Sequence, residues 1–500
     1  MPNRLLITRR EEERRAALFV EGKLTELFVE RVAETTVVGR IYKGRVVRVL
    51  PSLQAAFIDV GLARTAFLYV GDLQNSDRDG DASALAVGDG QSMHSYPPIN
   101  TLIQQGQELM VQLTKEPIGS KGARVTNRVT LPGRFLVLNP ASREINVSRR
   151  IEDEVERRRL VDLAKEIKPE EVGLIIRTAA RGASKEDFAD EVSSLNEVWR
   201  RVQGLYAQGS TPCCVHEDLD LTLRCLRDHM VTPGDEVIVD KEEEAARIRV
   251  FIERANACFQ GNVSVHVGSE SLFASYGVDA AINAMTRRKI WQKSGSYIVI
   301  DATEALTAID VNTGKNVGCG DLEKTMLQVN LESAAEIAYQ LRLRDIGGLI
   351  IIDFIDMENA ENRQRVTDAL KDTMAMDPAR SMVLPMSRLG LVEMTRKRVR
   401  RPVTELLTEP CPCCDGSGRR RSAESTLSGL VTHLRRLISD GYQGALDVIA
   451  HPDLVSEIKA DPDRFSVLED ELEGEIFLHE DRAIRCDAFR VQPKRPSTGQ

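Results

Sequence analysis

The sequence has no long apolar run, and its first residues do not have the pattern of a signal peptide. A membrane-spanning helix needs about 20 consecutive apolar residues, and no stretch of the 500 residues comes close to this. The chain begins Met1-Pro-Asn-Arg4, which is not the pattern of a secretory signal peptide. We therefore expect a cytoplasmic protein that does not act in a membrane.

A P-loop is also absent, and so is a strong positive charge. No GxxxxGK[ST] motif occurs in the sequence, which argues against a phosphotransferase that holds nucleotide phosphates on such a loop. The net charge of -9 argues against attraction to nucleic acid over the whole surface. Local basic clusters could still bind a phosphate backbone, because binding depends on the charges that reach it.

The nine cysteines are scattered irregularly, which indicates free thiols and one candidate metal site in a reducing compartment. Cys411 and Cys414 form a CxxC in a turn-rich loop, as in small zinc sites. Structural zinc takes four ligands, but the sequence has no second CxxC and no spaced histidine pair. Zinc would therefore recruit His433 or distant thiols, or two chains would each donate one pair. Cys413 lies between the pair and adds a third thiol. A redox role is less favoured, because no helix starts after a strand at this CxxC.

The most informative stretch runs from Ser296 to Asp356. Two apolar, β-branched runs, 296–301 and 306–312, predict a hairpin. A helical pattern over 322–343 follows, and Leu349–Asp356 predicts a strand that is covered on both faces. Because strand side chains alternate, Asp310 and Asn312 should share one face.

Asp310 and Asp353 are the candidate metal ligands. Acids at the ends of buried strands are costly unless a cation or hydrogen bonds meet them. Mg²⁺ fits, because it takes oxygen ligands and often only one or two carboxylates. The alternative is that Asp310 caps a turn and Asp353 pairs with an arginine, but the two acids together with Asn312 favour the metal. Asp356 is left out, since alternation should point it to the opposite face from Asp353.

A chain of this length is expected to form three or more domains. The strands predicted within 4–30 are too few to stand alone, so they should pair with strands predicted within 226–290. Short strands with glycines at their corners follow from Val38 and predict a barrel of the OB type.

Aromatic and basic residues on that barrel are candidates for RNA or DNA contact. Phe57, Phe67 and Tyr42 could stack on bases, while Lys43, with Arg45 and Arg48, could follow the phosphates. The alternative is that the two phenylalanines fill the barrel core. The pattern does not decide between these options.

Three further basic segments could contact phosphate. The glycine-rich segment 115–126, with Lys115 and Lys121, could cradle a phosphate or could be an ordinary loop. Arg177 and Thr178 end a predicted strand and would suit a terminal phosphate, although surface arginines are common. The basic run 396–401 follows the acidic site directly, which favours nucleic-acid contact over a solvated face.

Taken together, these motifs resemble the ribonuclease E/G endoribonucleases from end to end. The segments that carry the resemblance are Glu304–Gly314, Arg342–Met357, Leu389–Arg398, Cys411–Cys414, Ile41–Val46 and Gln54–Phe57. The first two are long and specific.

The resemblance implies a multidomain α/β and α+β chain. Its expected parts are an RNase H-like domain made of 1–36 and 226–287, an S1 (OB) RNA-binding domain at 37–128 with an insertion at about 71–98, a 5′-sensor domain at 129–225, a DNase I-like catalytic domain at 288–400, a zinc link at 401–418 and a small α/β domain at 419–500.

The resemblance also implies roles for individual residues. Asp310 and Asp353 would hold Mg²⁺, with Asn312 orienting Asp310. Phe57 and Phe67 would clasp RNA. The remaining implied sites are a 5′-monophosphate pocket at Arg177 and Thr178, half of a zinc site shared between two subunits at Cys411 and Cys414, and further RNA contacts at Lys43, Lys115, Lys121, Arg396 and Lys397.

The function implied is a Mg²⁺-dependent endoribonuclease that is specific for single-stranded, A/U-rich RNA. It would leave 5′-phosphate and 3′-hydroxyl ends, respond to a 5′-monophosphate, and act in rRNA and tRNA processing, including the 5′ end of the small-subunit rRNA, and in mRNA decay. We expect a homodimer or a dimer of dimers through the zinc link. Because the chain ends soon after the small domain, we expect no scaffold tail and no degradosome. The alternative is a non-catalytic S1-type RNA-binding or rRNA-assembly factor, against which the retained acids argue.

Overall fold

The computed structural model describes residues 2–31, 38–73, 96–115, 122–230, 234–254, 261–315, 322–460 and 462–494. Lys121 and most of the predicted insertion at 71–98 lie outside these residues. The chain divides into two compact units, Met1–Leu406 and Leu407–Gln500. None of the helices within the described ranges is long and apolar enough to cross a membrane.

The N-terminal strands of the first unit belong to a five-stranded sheet that the chain completes much later. Its strands, in spatial order, are Asn262–Val265, Glu236–Val239, Arg4–Arg9, Glu13–Val20 and Lys23–Arg31. The strand at Arg4 pairs in parallel with the strand at Glu236. Glu21 and Gly22, both with positive φ, join the last two strands as a two-residue hairpin turn favours. The core on one side of this sheet includes residues from the helices Leu221–His229 and Glu242–Arg254.

A five-stranded barrel follows, as the sequence predicts. Its strands, in order around the barrel, are Ile41–Leu50, Ala55–Asp59, Ala66–Tyr69, Arg124–Thr126 and Glu108–Lys115, and the last pairs with the first to close it. Cys213–His216 adds a strand beside Ile41–Leu50. Gly44 allows tight packing inside, since a Cβ there would lie 2.7 Å from Ile58 Cγ2. Tyr42 is buried in the barrel core, so its predicted stacking role is wrong.

A four-stranded sheet with two long helices comes next along the chain. Its strands, in spatial order, are Ile145–Val147, Gly173–Ile176, Leu136–Asn139 and Leu131–Pro132. The helices are Glu154–Ile167 and Lys185–Gln208, and both contribute to the same apolar core as the sheet. Ser184 and Asp187 form a capping box at the start of the second helix.

The last sheet of the first unit has six strands. In spatial order they are Lys289–Trp291, Tyr297–Ala302, Leu306–Asn312, Gly348–Asp353, Leu391–Arg396 and Ser381–Val383. The predicted hairpin is confirmed by the antiparallel pairing of its second and third strands. The predicted helix is confirmed as Leu322–Leu343, and it packs with Ala360–Ala375 on one face of the sheet.

The opposite face of this sheet, which we call the open face, is largely exposed. The prediction that Leu349–Asp356 is a strand covered on both faces is wrong, since the strand is Gly348–Asp353 and one face is exposed. Ile350 and Ile352 are fully buried against the helices, whereas Leu349 is 42 % exposed and Asp353 is exposed. The apolar run suggested two buried faces, but within the first unit helices cover only one.

The second unit is a small α/β domain. Its strands, in spatial order, are Ile476–Glu480, Leu446–Ala450 and Phe489–Pro493, and its helices are Ala423–Ser439, Pro452–Ala460 and Pro462–Leu472. Shorter helices elsewhere in the chain are Ile99–Leu102, Leu272–Ser275, Val278–Met285 and Val403–Leu407. The predicted domain boundaries and family names of the domains stay predictions.

Candidate active site

Asp310 and Asp353 lie side by side on the open face. The strands that carry them are parallel, and Asp310 is the direct register partner of Asp353. Both side chains are exposed. Because neighbouring strands are about 4.8 Å apart, two partners on one face place their carboxylates next to each other. The sequence argument from burial was therefore wrong, and the feature that makes this site unusual is the adjacency of two like charges.

Asn312 is hydrogen-bonded to one of these acids. Its Nδ2 donates to Asp310 Oδ2 at 2.7 Å. This contact follows from the strand alternation, which puts residues 310 and 312 on the same face. The amide restricts the rotation of the Asp310 carboxylate, and a predicted orienting role is compatible with this geometry.

A third acid, Asp356, contributes to the electrostatics of the site. Partial burial and the charges of Asp310 and Asp356 raise the pKa of Asp353. The strand ends at Asp353, so alternation does not fix the direction of Asp356, and the reason given for leaving it out does not hold, while its exclusion from the metal ligands stays a prediction. Gly390, with φ +74°, lies against it, since a Cβ there would be 2.9 Å from Asp356 Oδ1. The direction of Asp356 could have been predicted correctly only if the sequence had shown that the strand ends at Asp353.

Among the residues that the structure describes, no basic side chain neutralises these acids. Within the described residues, no lysine or arginine forms an ion pair with Asp310, Asp353 or Asp356. The alternative in which Asp353 pairs with an arginine is therefore wrong. Oxygen donors without a counter-charge suit a hard divalent cation. In the same part of the chain no three acidic, histidine or cysteine side chains converge closely enough to hold a metal, so two carboxylates with water and phosphate oxygens fit best.

Arg396 must be removed from the predicted RNA-binding residues. Its side chain is 3 % exposed, and its Nε donates to Asp377 at 2.7 Å while its Nη1 donates to Asp345 at 2.9 Å. Arg396 faces the covered side of the sheet, where these two carboxylates compensate its charge. Lys397, the next residue, is exposed as predicted.

The outer face of the barrel presents two aromatic rings. Phe57 and Phe67 are direct cross-strand partners with ring centroids 6.1 Å apart. Both are partly exposed, whereas Ala56 and Ile58 are fully buried inside the barrel. The alternative that the phenylalanines fill the barrel core is therefore wrong.

Arginines flank the two rings in the same row across the barrel. Arg48 is the register partner of Phe57, and Arg124 is that of Phe67. Arg48 is exposed, whereas Arg124 forms an ion pair with Asp72 at 2.7 Å. The row as a whole offers aromatic faces between cations, which suits a single nucleic-acid strand.

Lys43 does not extend this surface. Its ammonium contacts Glu108 at 3.2 Å and the Gly209 carbonyl at 3.0 Å, and its side chain is 12 % exposed. The strand Cys213–His216 and the segment before it cover this part of the barrel. The prediction that Lys43 binds RNA is wrong for this reason. Lys115 is exposed, and Lys121 lies outside the described residues.

Arg177 and Thr178 are held by neighbouring groups. Arg177 Nη1 donates to the Gly133 carbonyl at 2.5 Å and to Asp228 at 2.8 Å. Thr178 Oγ1 is 3.0 Å from Ser148 Oγ. Burial tends to raise the pKa of Asp228, but the adjacent arginines outweigh it and lower that pKa. A phosphate at Arg177 would therefore meet an arginine that already has an anionic partner.

In the second unit, Cys411 and Cys414 lie near two further thiols. Backbone N–H groups of Cys413 and Cys414, together with the Cys414 thiol, lower the pKa of Cys411, which favours the thiolate. Cys413 Sγ is 2.7 Å from Cys486 Sγ. Cys486 was missed because it lies far along the chain. His433 packs against the ring of Phe489.

Comparisons with known proteins identify the family of the chain. The model of the Ribonuclease E/G family matches residues 130–399. Ribonuclease G of Salmonella typhimurium is 38 % identical over 92 % of this chain and 93 % of its own. Ribonuclease G of Haemophilus influenzae is 36 % identical over 98 % of this chain and 97 % of its own. Ribonuclease E of Escherichia coli is 35 % identical over 85 % of this chain but 39 % of its own length. The chain therefore belongs to the ribonuclease E/G family of endoribonucleases.

Proposed function

We propose that this protein cleaves single-stranded RNA internally in a Mg²⁺-dependent reaction. The observation that carries the proposal is the side-by-side placement of Asp310 and Asp353 on the open face, with Asn312 hydrogen-bonded to Asp310. The names of the relatives, ribonuclease G and ribonuclease E, support the same substrate class.

Asp310 and Asp353 would hold the metal ion, and their exposure leaves its other positions to water and to the RNA phosphate. Mg²⁺ held there would polarise the scissile phosphate and lower the pKa of a nearby water molecule, so that this water could displace the 3′ oxygen of the preceding nucleotide. Asn312 keeps the Asp310 carboxylate oriented throughout. The products carry 5′-phosphate and 3′-hydroxyl ends.

The barrel and the basic residues Lys115 and Lys397 would bind the substrate strand. Phe57 and Phe67 can stack only on bases that are not paired, which gives single-strand specificity. A preference for A/U-rich segments follows, because such segments are more often unpaired. Lys397 follows the end of the strand Leu391–Arg396 that pairs with Gly348, whereas Asp353 pairs with Leu391 at the other end. Lys397 would therefore contact phosphates away from the cut.

A 5′-monophosphate would bind at Arg177 and Thr178 and so favour cleavage of processed ends. Arginine forks onto phosphate oxygens, and Arg177 remains 32 % exposed despite its contact with Asp228. The incoming phosphate would compete with Asp228 for the guanidinium. Binding energy at this distant pocket would then be available to position the strand at the acids.

Cys411 and Cys414 would supply half of a structural zinc site, and a second chain would supply the other half. Structural zinc takes four ligands in a tetrahedron, and this CxxC supplies two of them. This favours a homodimer, or a dimer of dimers. Such an enzyme would act in the cytoplasm on rRNA and tRNA precursors and on decaying mRNA.

The test is cleavage of a short A/U-rich RNA in Mg²⁺, with either a 5′-monophosphate or a 5′-hydroxyl end. We expect the wild type to cut internally and faster with the monophosphate, and Asp353→Asn to lose cleavage. Glu393→Gln is the matched control, because Glu393 is an exposed acid on the same face but pairs with Ile351 rather than with the acidic site.

Three outcomes would contradict the proposal in different ways. Equal rates on both RNA ends would remove the role of Arg177 and Thr178 and leave the nuclease. Cleavage that survives Asp353→Asn would move the active site elsewhere. RNA binding without any cleavage by the wild type would favour the non-catalytic RNA-binding factor.

A further inference from the structure

Two aromatic side chains stand on the open face beside the catalytic acids. Trp291 is 56 % exposed, and its ring centroid lies 5.0 Å from that of Tyr297 at an interplanar angle of 58°. Trp291 is the register partner of Tyr297, which is in turn the partner of Asn312. The three residues therefore form one row that ends at the residue bonded to Asp310.

These rings are not part of the hydrophobic core. Ile290 and Ile298, their neighbours along the two strands, face the covered side, and Ile298 is fully buried. Alternation thus directs Trp291 and Tyr297 outward. Tyr297 is fixed on one side by the backbone of Gly314, since a Cβ there would lie 3.2 Å from Tyr297 Cδ1. The exposed indole of Trp291 lies beside the partly exposed ring of Tyr297 at 58°, so the pair offers two inclined aromatic faces, and a base can stack on that of Trp291.

A cation accompanies the rings. The ammonium of Lys289 lies 3.4 Å from the centroid of Tyr297 and 4.2 Å from that of Trp291. Lys289 is the partner of Val299, which is the partner of Asp310. The open face therefore carries a basic and aromatic corner two strands away from its acidic site, a separation of about 10 Å.

We propose that Trp291 and Tyr297 form a stacking platform for one unpaired base of the RNA, close to the phosphate that is cut. Lys289 would contact the phosphate of the same nucleotide. This inference rests on the proposed endoribonuclease function of Asp310 and Asp353. It adds a base-binding site on the catalytic sheet itself, separate from Phe57 and Phe67 on the barrel.

The position of the platform favours RNA over a protein partner. A base stacks on an aromatic side chain whatever its identity, and each such contact contributes measurably to the binding of single strands. A protein that covered Trp291 would also approach Asn312 and the acids, and would obstruct the site where the substrate must lie. A single RNA strand can occupy both places at once.

The first test uses the fluorescence of Trp291. The chain has two tryptophans, and the other, Trp199, is half-buried in the helix Lys185–Gln208. In the full-length W199F variant without Mg²⁺, we expect a short single-stranded RNA to quench Trp291 saturably, and a duplex of the same sequence not to do so. Binding of labelled RNA, followed by anisotropy, runs in parallel. The platform would be overturned if RNA binds without changing the fluorescence of Trp291. It would also be overturned if this fluorescence depends only on protein concentration, which would indicate that a second copy of the chain covers Trp291.

The second test locates the base. We expect W291A to raise the KM of cleavage about 5- to 100-fold, with little change in kcat, and W291F to retain most of the wild-type KM. An RNA with one abasic nucleotide near the cut should raise the KM of the wild type by the same factor, and it should not raise the KM of W291A any further. Leu349→Ala, which removes an exposed apolar side chain from the same face, is the matched control.

The outcomes separate the platform from the nuclease. If the wild type cleaves and W291A has the same KM and the same response to every abasic position, the platform is wrong while the nuclease stands. If the wild type does not cleave RNA at all, the proposed function itself has failed.

Discussion

The outer face of the barrel and the open face of the six-stranded sheet are built alike but differ in charge. Each is an exposed sheet surface with a pair of neighbouring aromatic rings, Phe57 with Phe67 and Trp291 with Tyr297, at centroid distances of 6.1 and 5.0 Å. Both are therefore suited to stacking on unpaired bases.

Both ring pairs have a cation beside them, but only the open face also carries a pair of adjacent acids. On the barrel, arginines lie beside each phenylalanine in the row, at Arg48 and Arg124. On the sheet, Asp310 and Asp353 are adjacent, and partial burial together with neighbouring carboxylates raises the pKa of Asp353. The barrel can therefore attract phosphate directly, whereas the acidic part of the sheet repels phosphate until a cation neutralises it. We infer that binding and cleavage can be separated by mutation.

The largest effect should come from removing an acid. Asp310→Ala is expected to lower kcat at least about 10³-fold, because a catalytic metal supplies several kcal/mol of charge stabilisation. RNA affinity without Mg²⁺ should stay within about 3-fold of the wild type, since the barrel still binds. Single-turnover cleavage and RNA anisotropy measure the two quantities. A parallel loss of affinity would show that the two faces do not act separately.

A smaller effect is expected from the amide that bonds Asp310. Asn312→Ala should lower kcat about 10- to 100-fold, as is typical when a residue that orients a metal ligand is removed. Because the carboxylate remains, higher Mg²⁺ should restore part of the activity, whereas Asp310→Ala should not respond. A Mg²⁺ titration of both variants checks this. An Asn312→Ala enzyme with wild-type kcat at low Mg²⁺ would contradict the orienting role.

The barrel rings should affect KM instead of kcat. Phe57→Ala is expected to raise KM about 10-fold, a value within the range for loss of one base stack. Because the two rings lie together, the Phe57→Ala, Phe67→Ala double variant should lose less than the sum of the single variants. Phe57→Trp, which keeps an aromatic face, is the matched control. A fall in kcat with unchanged KM would place these rings in the chemical step.

Local pattern predicted much of this architecture. The alternation in 306–312 placed Asp310 and Asn312 on one face, and the helical period gave Leu322–Leu343. The parallel register that sets Asp310 against Asp353 is a long-range property that no local pattern contains. For the same reason the apolar run at Leu349 was expected to be covered on both faces, although helices pack on only one.

The predicted basic residues failed where their partners are remote in sequence. Lys43 and Arg396 were predicted to bind RNA because a sequence shows which residues are charged. It does not show which carboxylates form ion pairs with them. Glu108 and Asp377, their partners here, lie far along the chain. The role of Phe57 and Phe67 could not be decided from the sequence for a related reason. Alternation shows that two residues share a face of the sheet, but it does not show which face is inside the barrel.

The smallest expected effect on RNA distinguishes two neighbouring cations. Lys397→Ala should weaken RNA binding a few-fold and reduce the slope of log affinity against log salt by about 1, as the loss of one phosphate contact does. Arg396→Met should leave that slope unchanged. It should lower the free energy of unfolding by about 3–5 kcal/mol, because it leaves the buried carboxylates of Asp345 and Asp377 without their partner.

RNA affinity at several salt concentrations, with urea unfolding of each variant, separates these effects. The measurements must be made where the Arg396→Met protein is still folded, so that reduced affinity is not mistaken for unfolding. A lower salt slope in folded Arg396→Met would show that Arg396 leaves its buried ion pairs to contact phosphate. An unchanged slope in Lys397→Ala would instead show that other residues make the phosphate contacts, with Arg48 and Arg124 on the barrel as the first candidates. The barrel would then attract phosphate by itself, whereas the acidic site would attract phosphate only with a bound cation.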